Sequence, residues 1–220
     1  MLNKIYLEKS YCWAPRMDAK AWKDWAEGFR KIPYCQDNPP IDFLPAKSLR
    51  RMNQMTRMTL CALHAMLPLD EETPLYFVST FGEAGLQLEL EREYHLEKEI
   101  HPATFSHSVY NAPLGNATIL LGKHNPYSCL FPRRGDGKST LMTAIAPLVS
   151  GRKEEVILIV CEEALPPAYA AIDQGGENEP FVYALKLTRT QGERELDEAF
   201  FPAFSSLDDV LRILIRKGWT

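Results

Sequence analysis

The chain has 220 residues, 45% of them hydrophobic, and sets 25 Lys and Arg against 29 Asp and Glu for a formal charge of −4. That length suits one sizeable α/β domain, taken as residues 1–220, and needs no second core. The mild acidity, without clustered Lys and Arg, argues against a nucleic-acid surface, and no apolar run approaches the ~20 residues of a membrane span.

The opening MLNKIYLEKSYCW lacks the apolar stretch of a signal peptide. The five cysteines (Cys12, Cys35, Cys61, Cys129, Cys161) are odd in number and show no metal-type spacing. A reduced, cytoplasmic chain is therefore expected, with each Cys a small buried apolar residue.

In chain order, Ile5–Trp13 alternates apolar and polar residues ahead of Pro15 and predicts a strand. Asp18–Phe29 sets Trp22, Trp25 and Phe29 at helical spacing, with Asp18 as N-cap. Pro33–Pro45 reads as a loop. Ser48–Met66 reads as one long helix with Leu49, Met52, Met55, Thr59 and Leu63 on one stripe, its methionines serving as core. Leu75–Ser79 predicts a short buried strand and Leu86–Lys98 an acidic amphipathic helix. Thr104–Leu121 is helical overall, interrupted at Pro113 and Gly115. Tyr127–Phe131 predicts a strand, Gly137–Val149 a helix, and the apolar run Val156–Cys161 a strand covered on both faces. After a loop with Gly175, Gly176 and Pro180, Phe181–Thr188 predicts another strand. Ser205 or Ser206 then caps a last helix, Leu207–Lys217, which stops at Gly218. Strands alternating with helices imply a layered α/β sheet.

The stretch FPRRGDGKST joins a strand to a helix through a glycine-bearing turn. That geometry aims backbone N–H groups at one point and suits a catalytic thiol or a bound anion. Yet the turn carries Arg133, Arg134, Gly135 and Asp136, with no Cys, Ser or Thr at its apex. GDGKST invites a phosphate-loop reading, but the first glycine of G-x-x-x-x-G-K-[ST] falls on Pro132, which removes an N–H donor. Cys129, the nearest thiol, lies within the strand and reads as core, since a nucleophile gains from the helix N-terminus itself. His64, His95, His101, His107 and His124 show no metal spacing, so no metal or other cofactor is expected, and no G-x-S-x-G elbow exists. Glu83, in STFGE, is either a functional loop carboxylate or a helix-start charge.

The segments LPAKSLRRMNQMTRMTLCAL, PLYFVSTFGE, HPATFSHSVYNAPLG and the strand–turn–helix–strand unit ending in VILIVCEE follow one another in order. Together they resemble the N-terminal half of β-ketoacyl synthases, and more closely the short β-ketoacyl synthase-like chain length factors of aryl polyene gene clusters. The F-S-x-S-V-x-N-A run followed by a spaced Gly is the most specific part. The resemblance implies an α/β fold that is half of a thiolase-like fold: a mixed five-stranded sheet with helices on both faces. It places the acyl-accepting Cys of full synthases at about Gly135, with Arg134 or Asp136 the positions one residue away. It also implies that two further catalytic residues belong to a C-terminal half that this chain is expected to lack. Tyr110 stands where the family pattern carries His.

On that resemblance the chain is expected to be a non-catalytic chain length factor, because Claisen condensation needs a thiolate and oxyanion donors. It would pair with a full-length β-ketoacyl synthase, with acyl carrier protein a further candidate partner. Phe105, Val109, Tyr110, Pro113 and Leu114 would face the partner and line or close its acyl tunnel, or else be ordinary interface core. Arg133 and Arg134 would plug or solvate the vacant turn. Two alternatives stay open: a homodimeric thiolase-like interaction protein without a role in elongation, and a nucleotide-binding protein built on GDGKST.

Overall fold

The first strand is β1 (Ile5–Trp13), which ends directly before Ala14–Pro15 and gives way to α1 (Ala19–Ala26). The structure is a computed structural model that describes residues 4–50, 52–132, 136–169, 179–190, 192, 194–196 and 206–219. The expected loop glycines Gly175 and Gly176, the alternative cap Ser205, and the turn residues Arg133, Arg134 and Gly135 lie outside the described residues. Asp18 caps α1 as expected, its carboxylate accepting from the Ala21 N–H at 2.7 Å.

The predicted helix Ser48–Met66 is two helices, α2 (Ala46–Leu49) and α3 (Gln54–Ala65). Side chains cause the break. Asn53 caps α3 by accepting from the Thr56 N–H at 2.9 Å. The Arg57 guanidinium reaches back to donate to the Leu49 carbonyl at 2.7 Å and the Met52 carbonyl at 3.1 Å, satisfying acceptors that a continuous helix would have used. After β2 (Leu75–Val78) comes α4 (Ala84–Glu97). The segment expected to break at Pro113 and Gly115 instead breaks earlier, between α5 (Pro102–Ser108) and α6 (Ala112–Leu120). Pro113 lies in the first turn of α6, where a missing N–H costs nothing. Then follow β3 (Tyr127–Leu130), α7 (Gly137–Val149), β4 (Glu155–Glu162), β5 (Phe181–Thr188), a short β6 (Arg194–Leu196) and α8 (Leu207–Arg216).

The strands form one mixed sheet in the order β3-β2-β4-β5-β1-β6. β3, β2 and β4 run parallel; β5, β1 and β6 add antiparallel pairs. The five-stranded sheet implied by the resemblance is present, with β6 as a sixth strand of three residues at its edge. That strand was not legible because its sequence, Arg-Glu-Leu, is polar; it pairs with β1, and Lys4 on the adjoining chain meets Glu195 at 3.0 Å.

Both faces of the sheet are covered. Val156, Leu158 and Val160 of β4 turn to a core shared with Trp25 of α1, Leu141 and Ile145 of α7, and Leu211 and Leu214 of α8. Ile157, Ile159 and Cys161 turn to the opposite core, shared with Met55, Met58 and Leu63 of α3 and Leu114 of α6. This two-sided burial explains why β4 reads as an unbroken apolar run. α1 and α8 are joined further by the Arg212 guanidinium, 3.9 Å from the Trp25 ring centroid. No helix among the described residues is long and apolar enough to cross a membrane.

α8 starts with a reciprocal cap: the Asp209 N–H donates to Ser206 Oγ at 3.3 Å, and the Ser206 N–H donates to Asp209 Oδ2 at 3.0 Å. Replacing Ser206 by Ala removes one half of that box. It is expected to cost about 1 kcal/mol and to lower Tm by about 2–4 °C, measured by thermal denaturation; an unchanged Tm would show that the cap contributes nothing.

Candidate functional site

The parallel strands β3, β2 and β4 all end on the same side of the sheet, and the stretch that joins β3 to α7 starts there. Its first two residues are Phe131 and Pro132; its last, Asp136, is the N-cap of α7. Asp136 Oδ1 accepts from the Ser139 N–H at 3.1 Å, so the chain's own carboxylate occupies the helix N-terminus where a phosphate-binding loop would hold its anion. A Cβ on Gly137 would lie 2.6 Å from the Ser206 carbonyl carbon, so backbone from the start of α8 packs directly against that end of α7. These contacts oppose the nucleotide-binding reading of GDGKST.

Cys129 stands in β3 beside Phe77 of β2. Burial pushes its thiol up to about 11, away from the thiolate that a nucleophile requires. It is half-buried, as are Cys12 and Cys35, so only Cys61 and Cys161 are the buried apolar sulfurs expected of all five. Among the described residues no three His, Cys, Asp or Glu side chains converge as metal ligands. His64 stacks on Phe43 with centroids 3.6 Å apart, and His107 Nδ1 lies 3.1 Å from Asn116 Nδ2.

What sequence reasoning did not find is a polar network across the three strand ends. Tyr110, in the break between α5 and α6, carries its hydroxyl to the first two strands. The Ser79 N–H donates to it at 2.9 Å, and it lies 2.5 Å from the Ser79 carbonyl and 2.7 Å from the Leu130 carbonyl. Ser79 Oγ donates to the Glu162 carboxylate of β4 at 2.9 Å and accepts from the Gly82 N–H at 2.8 Å. The Thr80 N–H also donates to Glu162. Next along, Glu163 Oε1 accepts from the Gly85 N–H at 2.8 Å, tying β4 to the first turn of α4. Glu83 is fully buried, takes a hydrogen bond from Asn53 Nδ2, and has its Oε1 without a hydrogen-bond partner among the described residues. Glu83 is thus an interior group at the entry to α4, and a surface helix-start charge is excluded. Burial raises the Glu162 carboxyl to about 7, against the opposing pull of the Thr80 N–H and Ser79 hydroxyl. Burial likewise raises Glu163 to about 7, the Glu89 charge adding to it and the Gly85 N–H working against it. Burial, then the neighbouring Glu163, hold Glu83 well above the usual carboxylate range.

The residues expected to face a partner divide. Phe105 on α5 is 56% exposed and Val109 is 37% exposed. Tyr110 is half-buried, its ring between Phe77 and Phe131 with centroids 6.0 and 5.9 Å away. Pro113 and Leu114 do not belong to an outer face: Pro113 is buried in the first turn of α6, and Leu114 is sealed in the core with α3. α6 packs on α3, and that contact turns this side inward. Two aromatics missing from the expected set lie outward, Tyr127 at 40% and Phe131 at 70% exposure. They flank β3, whose outer edge has no strand beside it among the described residues. The alternation of Tyr127, Cys129 and Phe131 was the signal that could have placed them on one face.

The raised carboxyls set a pH dependence. Glu162 and Glu163 hold their protons to about pH 7 in the folded chain, while in the unfolded chain they release them near the ordinary 4.5. Folding therefore binds protons between these values, and this contribution to stability is full below about 4.5 and lost as pH rises towards 7. The stability difference between wild type and Glu162→Gln should move in favour of the variant from pH 5 to pH 8, as read by urea unfolding; a difference that stays constant with pH would contradict the assignment. Millimolar ATP should leave Tm unshifted, and a rise of several degrees would revive the nucleotide reading.

The sequence matches the family model described as β-ketoacyl synthase, N-terminal domain, over residues 22–205. No curated protein matches the sequence. Among solved structures, the fold is similar to a chain of the ketosynthase ApeO in complex with its chain length factor ApeC from Xenorhabdus doucetiae. There the TM-score is 0.72 at 20% identity, over 86% of this chain and 80% of that one. It is also similar to the ishigamide ketosynthase/chain length factor, with a TM-score of 0.65 at 14% identity over 87% of this chain and 64% of that one. A third is AntDE:AntF, a type II polyketide synthase acyl-carrier protein in complex with its ketosynthase, with a TM-score of 0.62 at 15% identity over 87% of this chain and 64% of that one. This chain thus spans less than two thirds of the last two. With its mixed sheet, its two helical layers and its strand–turn–helix at the edge of three parallel strands, the chain belongs to the β-ketoacyl synthase N-terminal-domain family and has the thiolase-like fold.

Proposed function

We propose that this chain is a non-catalytic chain length factor that pairs with a full-length β-ketoacyl synthase and shapes the acyl tunnel at their junction, in chain elongation of the aryl polyene or polyketide type. The observation that carries the reading is the stretch Phe131–Gly137, which has no thiol in its sequence although it joins a strand to a helix in a chain of this family. Condensation needs a thiolate there to hold the acyl group. The nearest sulfur, Cys129, is a strand residue whose thiol is pushed up by burial.

The partner role is supported by the edge of β3. Unpaired backbone along a sheet edge invites a further strand; this edge carries exposed Tyr127 and Phe131, and exposed Val109 adjoins Tyr110, whose hydroxyl reaches Leu130. Aromatic side chains at such a place supply most of the apolar area of an interface. In this reading Phe105, Val109 and Phe131 meet the partner, and the aromatic wall limits how far an acyl chain extends. The similar structures that hold a ketosynthase with a chain length factor, or with an acyl-carrier protein, favour the same kinds of partner. The edge also suits a second copy of this chain, since β3 could pair with its own symmetry mate.

Co-expression with the full-length ketosynthase of the same gene cluster tests the proposal. The two should co-purify in equal amounts, and Phe105→Ala or Phe131→Ala should lengthen the products of the pair. The proposal fails if the two chains purify apart and the ketosynthase alone makes products of unchanged length; a stable homodimer of this chain would then favour the self-pairing alternative.

A further inference from the structure

We propose that Tyr110 is a positioning residue whose hydroxyl fixes the edge strand β3 and the α5–α6 break in the arrangement a partner must meet. The proposal rests on the partner-pairing reading above and gives Tyr110 a role other than lining a tunnel.

The last register pair between β2 and β3 is Val78 with Leu130. Just beyond it the sheet ladder ends, and the Ser79 N–H and the Leu130 carbonyl would be left without strand partners. The Tyr110 hydroxyl stands between them, accepting from the Ser79 N–H at 2.9 Å and lying 2.7 Å from the Leu130 carbonyl. A phenol has one proton, so it donates to one carbonyl at a time while accepting from the amide. One side chain thereby ties the ends of two neighbouring parallel strands to the helical break that carries it. Its sideways freedom is small: a Cβ on Gly82 would lie 2.8 Å from the Tyr110 ring, and Phe77 and Phe131 pack on either side. Ser79 is held in turn by Glu162 and by the Gly82 N–H.

Exposed apolar residues adjoin this arrangement along the chain. Val109 precedes Tyr110, Phe131 follows Leu130, and Phe105 lies one turn back on α5. Removing the hydroxyl leaves the ring to fill its space but frees the Ser79 N–H and the Leu130 carbonyl, so the two halves of the face lose their common anchor. Preformed geometry of this kind raises affinity by lowering the ordering cost on association.

The test compares Tyr110→Phe with Ser206→Ala, a cap variant on α8 that serves as a control for general destabilisation. In the full chain, hydrogen exchange at the Ser79 amide and along 127–131 should quicken at least tenfold in Tyr110→Phe and stay unchanged in Ser206→Ala. Affinity for the co-expressed full-length ketosynthase should fall at least tenfold in Tyr110→Phe alone. Unchanged exchange at Ser79 overturns the pin, as does a loss of affinity no greater than in Ser206→Ala. Wild-type chain that binds no ketosynthase overturns the partner reading instead, and the exchange comparison then still decides whether the hydroxyl holds β3.

Discussion

Burial of both faces of β4 and β5 is the constraint on which the rest of the molecule depends. Side chains alternate between two cores, so each residue of Val156–Cys161 is interior. No water reaches the middle of the sheet, and every backbone N–H and C=O there must be paired within it. At the edge where β3, β2 and β4 stop together, that pairing ends. The Tyr110 hydroxyl, the Ser79 hydroxyl and the Glu162 carboxylate take up the groups left over. Buried carboxyls at this edge follow from the two-sided sheet, because the strand ends need acceptors and solvent cannot supply them.

The same end of the sheet carries the stretch that joins β3 to α7. The fold around the turn is kept, yet its N-terminal helix charge is met by Asp136 and backbone from the start of α8 lies against Gly137. What the edge offers instead is surface: a strand with an open side and aromatic residues around it.

Much of this was legible in the sequence. β1, α7 and β5 have the expected bounds, since alternation, a glycine at a helix start and a run between turn residues are local signals. The break between α2 and α3 was hidden because Arg57 caps carbonyls five and eight residues earlier, which no periodicity reports. Leu114 looked like part of an outward segment because it adjoins Val109 and Tyr110; only the packing of α6 on α3 turns it inward. The roles of Tyr110, Glu162 and Glu163 were hidden for a related reason. Each depends on strand ends far apart in sequence meeting in space, and two glutamates after an apolar run look like the start of a solvated loop. Phe131 ends a strand and was read as part of it, when its exposure follows from standing past the last paired residue.

The claim at the centre of this account is that the chain keeps a condensing enzyme's architecture while its partner performs the chemistry. Intact-mass spectrometry of the co-purified pair, incubated with acyl-loaded carrier protein, tests it most directly. The account predicts an acyl adduct on the ketosynthase chain and none on this one. An acyl mass on this chain, mapped to Cys129 or to any other residue, would contradict it.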